Sequence, residues 1–437
     1  MSYLDTLCRF LAECRFEDLP GAVVEQAGIV IADTVAAIAA GAAEPEMRAL
    51  TDRIGGAAGA ASVIGAGRRA DMAKAALLNG AAGTFLEMDE GNRFSRGHPA
   101  IHVLPAVLAM GEAGRRSGRD VLTAFVLGYE VGSRLGGAAR LRASMHPHGT
   151  WGTVAAAAGV AALAGADADT FRTTLNVASS LTTATSKRTM LEGGTVRNIY
   201  AGISNQMGLL AHDLVQAGFT GERDGIASVF GTVVSETLDT DALTEKLGES
   251  WQITQNYFKR HSCCRYNHAT LDALACLLPL PAGSVATVEV ETYAYAAELD
   301  DPAPRNTLAA KFSVPFAVAT TIVHGASGMA SFTMEAVQDA QVQDLARRVT
   351  VREDAAMSAM LPARRPARVT VRLRDGSEQT AETFTNRGDD VDPYTREELA
   401  EKFHELTARV WPRNAADALH GKLLAIHRVP DVAGLFR

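Results

Sequence analysis

The chain has 437 residues, 47% of them hydrophobic and 21% charged, with a net charge of −8. This is the balance of a folded protein long enough for two cores, neither disordered nor basic. It argues against a nucleic-acid partner, so an anionic ligand would need a local cationic pocket. Five cysteines without a CxxC pair argue against a disulfide framework and suit a reducing, cytoplasmic setting.

The N-terminal run MSYLDTLCRFLAECRFEDL mixes charge with apolar residues at helical spacing and lacks the apolar core of a signal peptide. Residues 22–40 place Val23, Ala27, Val30, Ile31 and Val35 on one face. Segments 73–85, 104–113, 121–135, 152–164, 203–217 and 227–233 read as further helices, rich in Ala and Gly and able to pack closely. Gly41, Gly165 and Gly218 are expected to end helices in the left-handed conformation. The most apolar segments, such as 153–166, fall short of the ~20 residues of a membrane span. No membrane partner is expected. Cys8, Cys14 and Cys276 read as small buried residues.

After His268 the pattern changes. Residues 285–293, 348–352 and 367–373 alternate as strands, and Asp375-Gly376 joins the last to 380–384 as a hairpin. Helices are expected at 314–324 and 336–346. Thr395 and Glu398 then form a capping box ahead of Leu399, Phe403 and Leu406. The fold class expected is mainly α with an inserted α+β domain. Residues 1–265 and 395–437 would form the helical domain, and 266–394 a smaller α+β lid.

Four stretches could carry chemistry. In FLEMDEGNRFSRGHPAIH, Glu87, Asp89 and Glu90 end one helix, and Pro99 suits the first position of the next. His98 then sits at a positive helix end, where neutral imidazole is favoured. His98 and His102 have metal-ligand spacing, but no HExxH arrangement accompanies them. HPHGTW repeats the logic at His146, a second histidine-proline step before a helix. EGGTVRNIYAGISN carries Arg197, a natural bidentate clamp for a carboxylate. FKRHSCCRYNH, residues 258–268, combines Lys259, Arg260 and Arg265 with Cys263, Cys264 and histidines. It reads as a basic pocket, or as a reactive thiol whose pKa the cations lower, or as two core cysteines opening a helix. Adjacent cysteines rarely both reach one zinc, so no metal is assigned. Nucleotide, phosphate-loop and hydrolase-elbow motifs are absent from the sequence.

Taken in order, these stretches resemble the MmgE/PrpD family over nearly the whole chain. Family members carry His-Pro before V-x-P-A, here His98-Pro99 and Val103-Leu104-Pro105-Ala106, then H-P-T-G-T-W-G, here His146 to Gly152. V-K-x-x-x-x-G is matched from Val196-Arg197 to Gly202, G-F-T-G at Gly218 to Gly221, and K-x-x-x-C-C-R-Y-x-H from Lys259 to His268. F-S-x-P-[YF] falls at Phe312 to Phe316 and K-F at Lys402-Phe403.

The resemblance implies a helical domain with an α+β lid, commonly a homodimer. It also implies action on a small di- or tricarboxylate without metal or organic cofactor. The family's activities are 2-methylcitrate dehydratase, cis-aconitate decarboxylase and iminodisuccinate epimerase. Carried over by position, His98 with Asp89 would exchange a proton at a substrate carbon. Lys259 would hold the lid hinge, and Cys264 or Tyr266 would be the opposing acid. Glu87, His146, Arg197, Arg260 and His268 would bind substrate. Dehydration is the first expectation, epimerisation the second, and a non-catalytic carboxylate-binding protein the third. The chain departs from the family at Glu87-Met88-Asp89-Glu90 in place of D-F-D-D, and in a longer loop to His98. It also carries Arg197 for lysine and Cys264 where the decarboxylase carries a histidine. These departures weaken 2-methylcitrate and decarboxylation.

Overall fold

A computed structural model of the protein describes residues 2–56 and 58–436. Helices Gly21–Ala42, Met72–Phe85, Pro99–Ala113, Gly118–Ala138, Gly152–Ala164 and Tyr200–Gln216 pack into one bundle. Small residues permit the close crossings. A β-carbon on Gly41 would fall 1.9 Å from the Ala82 carbonyl oxygen, and one on Gly202 would fall 2.2 Å from that of Leu77. Gly165 and Gly218 adopt the left-handed conformation expected of them. Gly41 does not: its helix runs on to Ala42, and the glycine is there for helix contact rather than for termination.

The second unit is a four-stranded sheet in the order Glu378–Thr383, Ala367–Leu373, Val285–Thr292, Val349–Glu353. The first three strands are antiparallel, with Val371 opposite Gln379 and Val288, and the last pair is parallel. Helices His268–Ala275 and Val314–His324 cover one face. The helix expected over 336–346 is two helices, Met334–Gln338 and Ala340–Ala346. Asp339 breaks it by accepting the Gln341 and Val342 N–H groups as an N-cap.

Two apolar cores result. One takes residues from Leu4 to Phe258 and again from Phe403 to Leu435; the other runs from Cys263 to Val371 and includes Met190. Helix Arg396–Thr407 starts with the expected Thr395–Glu398 capping box and lies on Gly21–Ala42. Gly21–Ala42 is long and apolar enough by length and composition to cross a bilayer, unlike the shorter segments weighed from the sequence. Here it is the buried centre of the bundle. Its Asp33 meets Lys402 at 2.6 Å, both nearly inaccessible to solvent. Cys8, Cys14, Cys263 and Cys264 are buried; Cys276, expected inside, is exposed at the end of its helix.

Removing one member of a buried ion pair strands the other charge, at a cost of ~3–5 kcal/mol. Lys402→Met should therefore lower unfolding free energy by that order in urea, and adding Asp33→Asn should restore much of the loss. Unchanged stability in the single variant contradicts this role.

Candidate active site

The site is built around the loop that leaves helix Met72–Phe85. Glu87 takes a positive φ of 54°, a conformation few non-glycine residues hold without support from their surroundings. The loop has little sheet pairing, and side chains from elsewhere satisfy its buried carbonyls. Ser262 Oγ donates to the Leu86 carbonyl at 2.7 Å, and Lys259 Nζ to that of Glu87 at 3.1 Å. Lys402 Nζ donates to the Met88 carbonyl at 2.8 Å, and His98 Nδ1 to the Glu90 carbonyl at 2.7 Å.

This last contact fixes the chemistry of His98. A carbonyl can only accept, so the proton sits on Nδ1, with Asp89 Oδ2 a second acceptor at 3.1 Å. In the neutral form of the ring the Nε2 lone pair is then free, and His98 lines the cleft. His146 has the opposite tautomer. Its Nδ1 accepts from the His148 backbone N–H at 3.0 Å, which leaves a proton on Nε2. Burial, followed by the nearby Arg197, pushes the pKa of both His146 and His148 well below the usual histidine range, so both stay neutral. The structure thus presents one imidazole as an acceptor and another as a donor.

The cleft holds about 260 Å³ and lies between the two cores. It brings together Glu87, His98, His146, Arg197, Cys264 and Tyr266. Asp89 and Lys259 stand behind this wall. Lys259 Nζ is 3.4 Å from both Glu87 Oε2 and Asp89 Oδ1 and is fully buried. Arg197, on the turn Thr195–Ile199, contacts the Glu87 carboxylate and lies 5.3 Å over the Phe312 ring. Arg197 Nη1 is the atom that meets Glu87, and its Nε has no hydrogen-bond partner. Glu87 is therefore a partner of the cations and not itself a ligand for a second carboxylate.

Two residues expected here are elsewhere. Arg260 turns outward to Glu401 at 3.3 Å, the opposite side from its neighbour Lys259. His268 lies behind the cleft, accepting from Arg265 Nη1 at 2.9 Å with its Nε2 3.3 Å from the Cys263 carbonyl. Three cleft residues were passed over: Tyr257, Arg365 and His148, whose ring is 4.8 Å from that of His98. His148 carried a signal, standing where family members have threonine in an otherwise matched motif. Among the described residues no group of three or more His, Cys, Asp or Glu is placed to hold a metal ion.

Residues 5–239 match the model of the MmgE/PrpD N-terminal domain, and residues 261–422 that of the MmgE/PrpD C-terminal domain. The chain belongs to the MmgE/PrpD family. Cis-aconitate decarboxylase of Aspergillus terreus (strain NIH 2624 / FGSC A1156) is 24% identical over 463 residues, covering 98% of this chain and 94% of that protein. The cis-aconitate decarboxylase-like protein oryM of Aspergillus oryzae is 25% identical, covering 98% and 95%. The Homo sapiens cis-aconitate decarboxylase is 25% identical, covering 79% and 74%. Such kinship supports an enzyme of the lyase kind without fixing its reaction.

In this MmgE/PrpD chain the inner charges, Glu87 and Asp89 against Arg197 and Lys259, balance one another. Burial works against ionised Glu87, but Arg197 and Lys259 outweigh it and its pKa is lowered. Burial likewise opposes the Asp89 charge, and His98 and Lys259 hold its pKa well below the usual range. Burial also opposes the Lys259 charge, and the two carboxylates hold its pKa up. Of the readings open for Cys264, the easily ionised thiol is the one its surroundings oppose. Burial, then the Glu87 carboxylate, push it up to about 11. Lys259 and Arg197 pull the other way without outweighing burial. Burial raises Tyr266 to about 12.

Burial also raises Glu90 to about 8, although the Tyr129 hydroxyl donates to it at 2.6 Å. Its folded pKa lies above the unfolded value, so ionisation of the unfolded chain subtracts stability as pH rises from about 4.5 to about 8. Glu90→Gln should therefore gain stability relative to the parent across that window, read by denaturant unfolding at several pH values. Parallel stability profiles would contradict a neutral Glu90.

Proposed function

We propose that the protein is a lyase that removes a proton from the carbon next to a carboxylate of a small di- or tricarboxylate, with dehydration as the reaction. The observation that carries this reading is the His98 tautomer. With Nδ1 bound to the Glu90 carbonyl, Nε2 is a base open to the cleft. A carboxylate of the substrate would meet the guanidinium of Arg197, which lines the cleft, and the Nε2–H of His146 would steady charge growing on it. As the C–H bond breaks, its electron pair forms the new double bond and the adjacent C–O bond breaks. The departing hydroxide takes a proton from Cys264 or Tyr266, both held protonated at neutral pH, and leaves as water.

A second reading is decarboxylation, favoured by the named activity of the relatives that span the chain. It needs a proton donor at the carbon but no base, so it makes less use of the free His98 Nε2. The cysteine at 264, where the resemblance places a histidine in the decarboxylase, also counts against it.

Incubating the enzyme with hydroxylated and unsaturated tricarboxylates in heavy water, followed by NMR, tests the proposal. Expected are deuterium at the carbon next to a carboxylate and interconversion of hydroxy acid and alkene. His98→Asn should lower kcat by ~10²–10⁴ with KM little changed, and Lys259→Met should lower kcat through loss of the loop. Release of carbon dioxide instead would favour the second reading. Full turnover in His98→Asn would sink the base assignment.

A further inference from the structure

The cleft's cations are not equally occupied. Arg140 meets Glu236 at 3.0 Å, Arg265 meets Asp389 at 2.5 Å, Lys187 contacts Glu298 and Arg197 contacts Glu87. Arg365 differs. It stands just before strand Ala367–Leu373, on the sheet unit's side of the cleft, and only 7% of it is exposed. Among the described residues no carboxylate lies within ion-pair distance of it. Its one hydrogen bond to protein is from Nη2 to the Arg93 carbonyl at 3.1 Å. Its guanidinium lies 5.7 Å from the centre of the Tyr266 ring. Asp389, the carboxylate whose charge it feels, is already held by Arg265.

An arginine removed from water without a counter-charge is costly, and proteins place one where an anion will complete it. Two further groups here lack partners: Arg265 Nε and the Tyr293 hydroxyl, both buried. Tyr293 packs edge-on against Tyr266 at 5.9 Å, and Arg265 lies 4.4 Å over the ring of Tyr257. Arg365 and Arg265 thus line the side of the cleft that the sheet unit contributes, with Tyr293 behind the lining, separate from the His98, His146 and Arg197 wall of the bundle.

We infer that Arg365 is the clamp of a second carboxylate subsite, which takes the carboxylate of the substrate remote from the carbon that His98 deprotonates. The inference rests on the polycarboxylate reading above and sharpens it. One carboxylate is bound by Arg197 at the reacting end. Another is bound by the forked guanidinium of Arg365 at the far end, bridging bundle and sheet unit. Monocarboxylates would fill only half of the cleft's charge.

The test is calorimetric titration of the whole protein with propane-1,2,3-tricarboxylate, which has no hydroxyl to eliminate, and with butanoate. The parent should bind the tricarboxylate, and Arg365→Gln should weaken that binding ~30-fold or more. Butanoate should bind weakly and alike to both. Arg365→Lys keeps the charge and the fold but loses the fork, and should weaken the tricarboxylate ~5–10-fold. It carries the test if the glutamine variant does not fold. Tricarboxylate affinity unchanged in either folded variant overturns the subsite while leaving the proposed reaction standing. No binding of the tricarboxylate to the parent overturns both.

Discussion

The site depends on a loop whose backbone is held by side chains. Between Leu86 and Glu90 four carbonyls accept from Ser262, Lys259, Lys402 and His98. Those donors come from the crossing between the cores, from the C-terminal helix and from the start of helix Pro99–Ala113. An irregular buried segment is tolerable only when its polar groups are matched, and here each match is also a constraint on chemistry. Two of the donors are ammonium groups, and they require the buried carboxylates Glu87, Asp89 and Asp33 beside them. The positive φ of Glu87 persists inside this network and turns its carboxylate toward Arg197.

From that arrangement follows the division of labour in the cleft. The carbonyl of Glu90 chooses the tautomer of His98, and the backbone N–H of His148 chooses that of His146. Because they are buried, the neighbouring Cys264 thiol and Tyr266 phenol remain protonated, able to give protons and not to take them. Buried ion pairs add little net stability for their desolvation cost. Their value here is in holding a dry loop in one shape.

Much of this was readable from local patterns. The His98-Pro99 step announced a helix start because proline's missing N–H is harmless there, and the histidine does stand at the N-cap position, its ring bonded to the Glu90 carbonyl rather than to the helix. The Thr395–Glu398 box and the Asp375-Gly376 turn were equally local and correctly placed. What escaped depends on three dimensions. In the segment crossing between cores, Lys259 faces inward and Arg260 outward, a choice that adjacent cations do not disclose. Gly41 looked like a helix end because its packing partner, Ala82, is remote in sequence. A reactive Cys264 was one open reading because its cationic neighbours were visible in the sequence while its burial and the nearby Glu87 carboxylate were not. Arg365 had no motif at all, and only burial without a counter-charge marks it.

The most direct measurement of the account is the protonation pattern of His98, read by nitrogen NMR of protein with 15N-labelled histidine and assigned with His98→Asn. The loop carbonyl predicts a proton on Nδ1 and, in the neutral ring, a bare Nε2. A proton found on Nε2 instead would mean that the loop does not present His98 as a base, and would contradict the central claim.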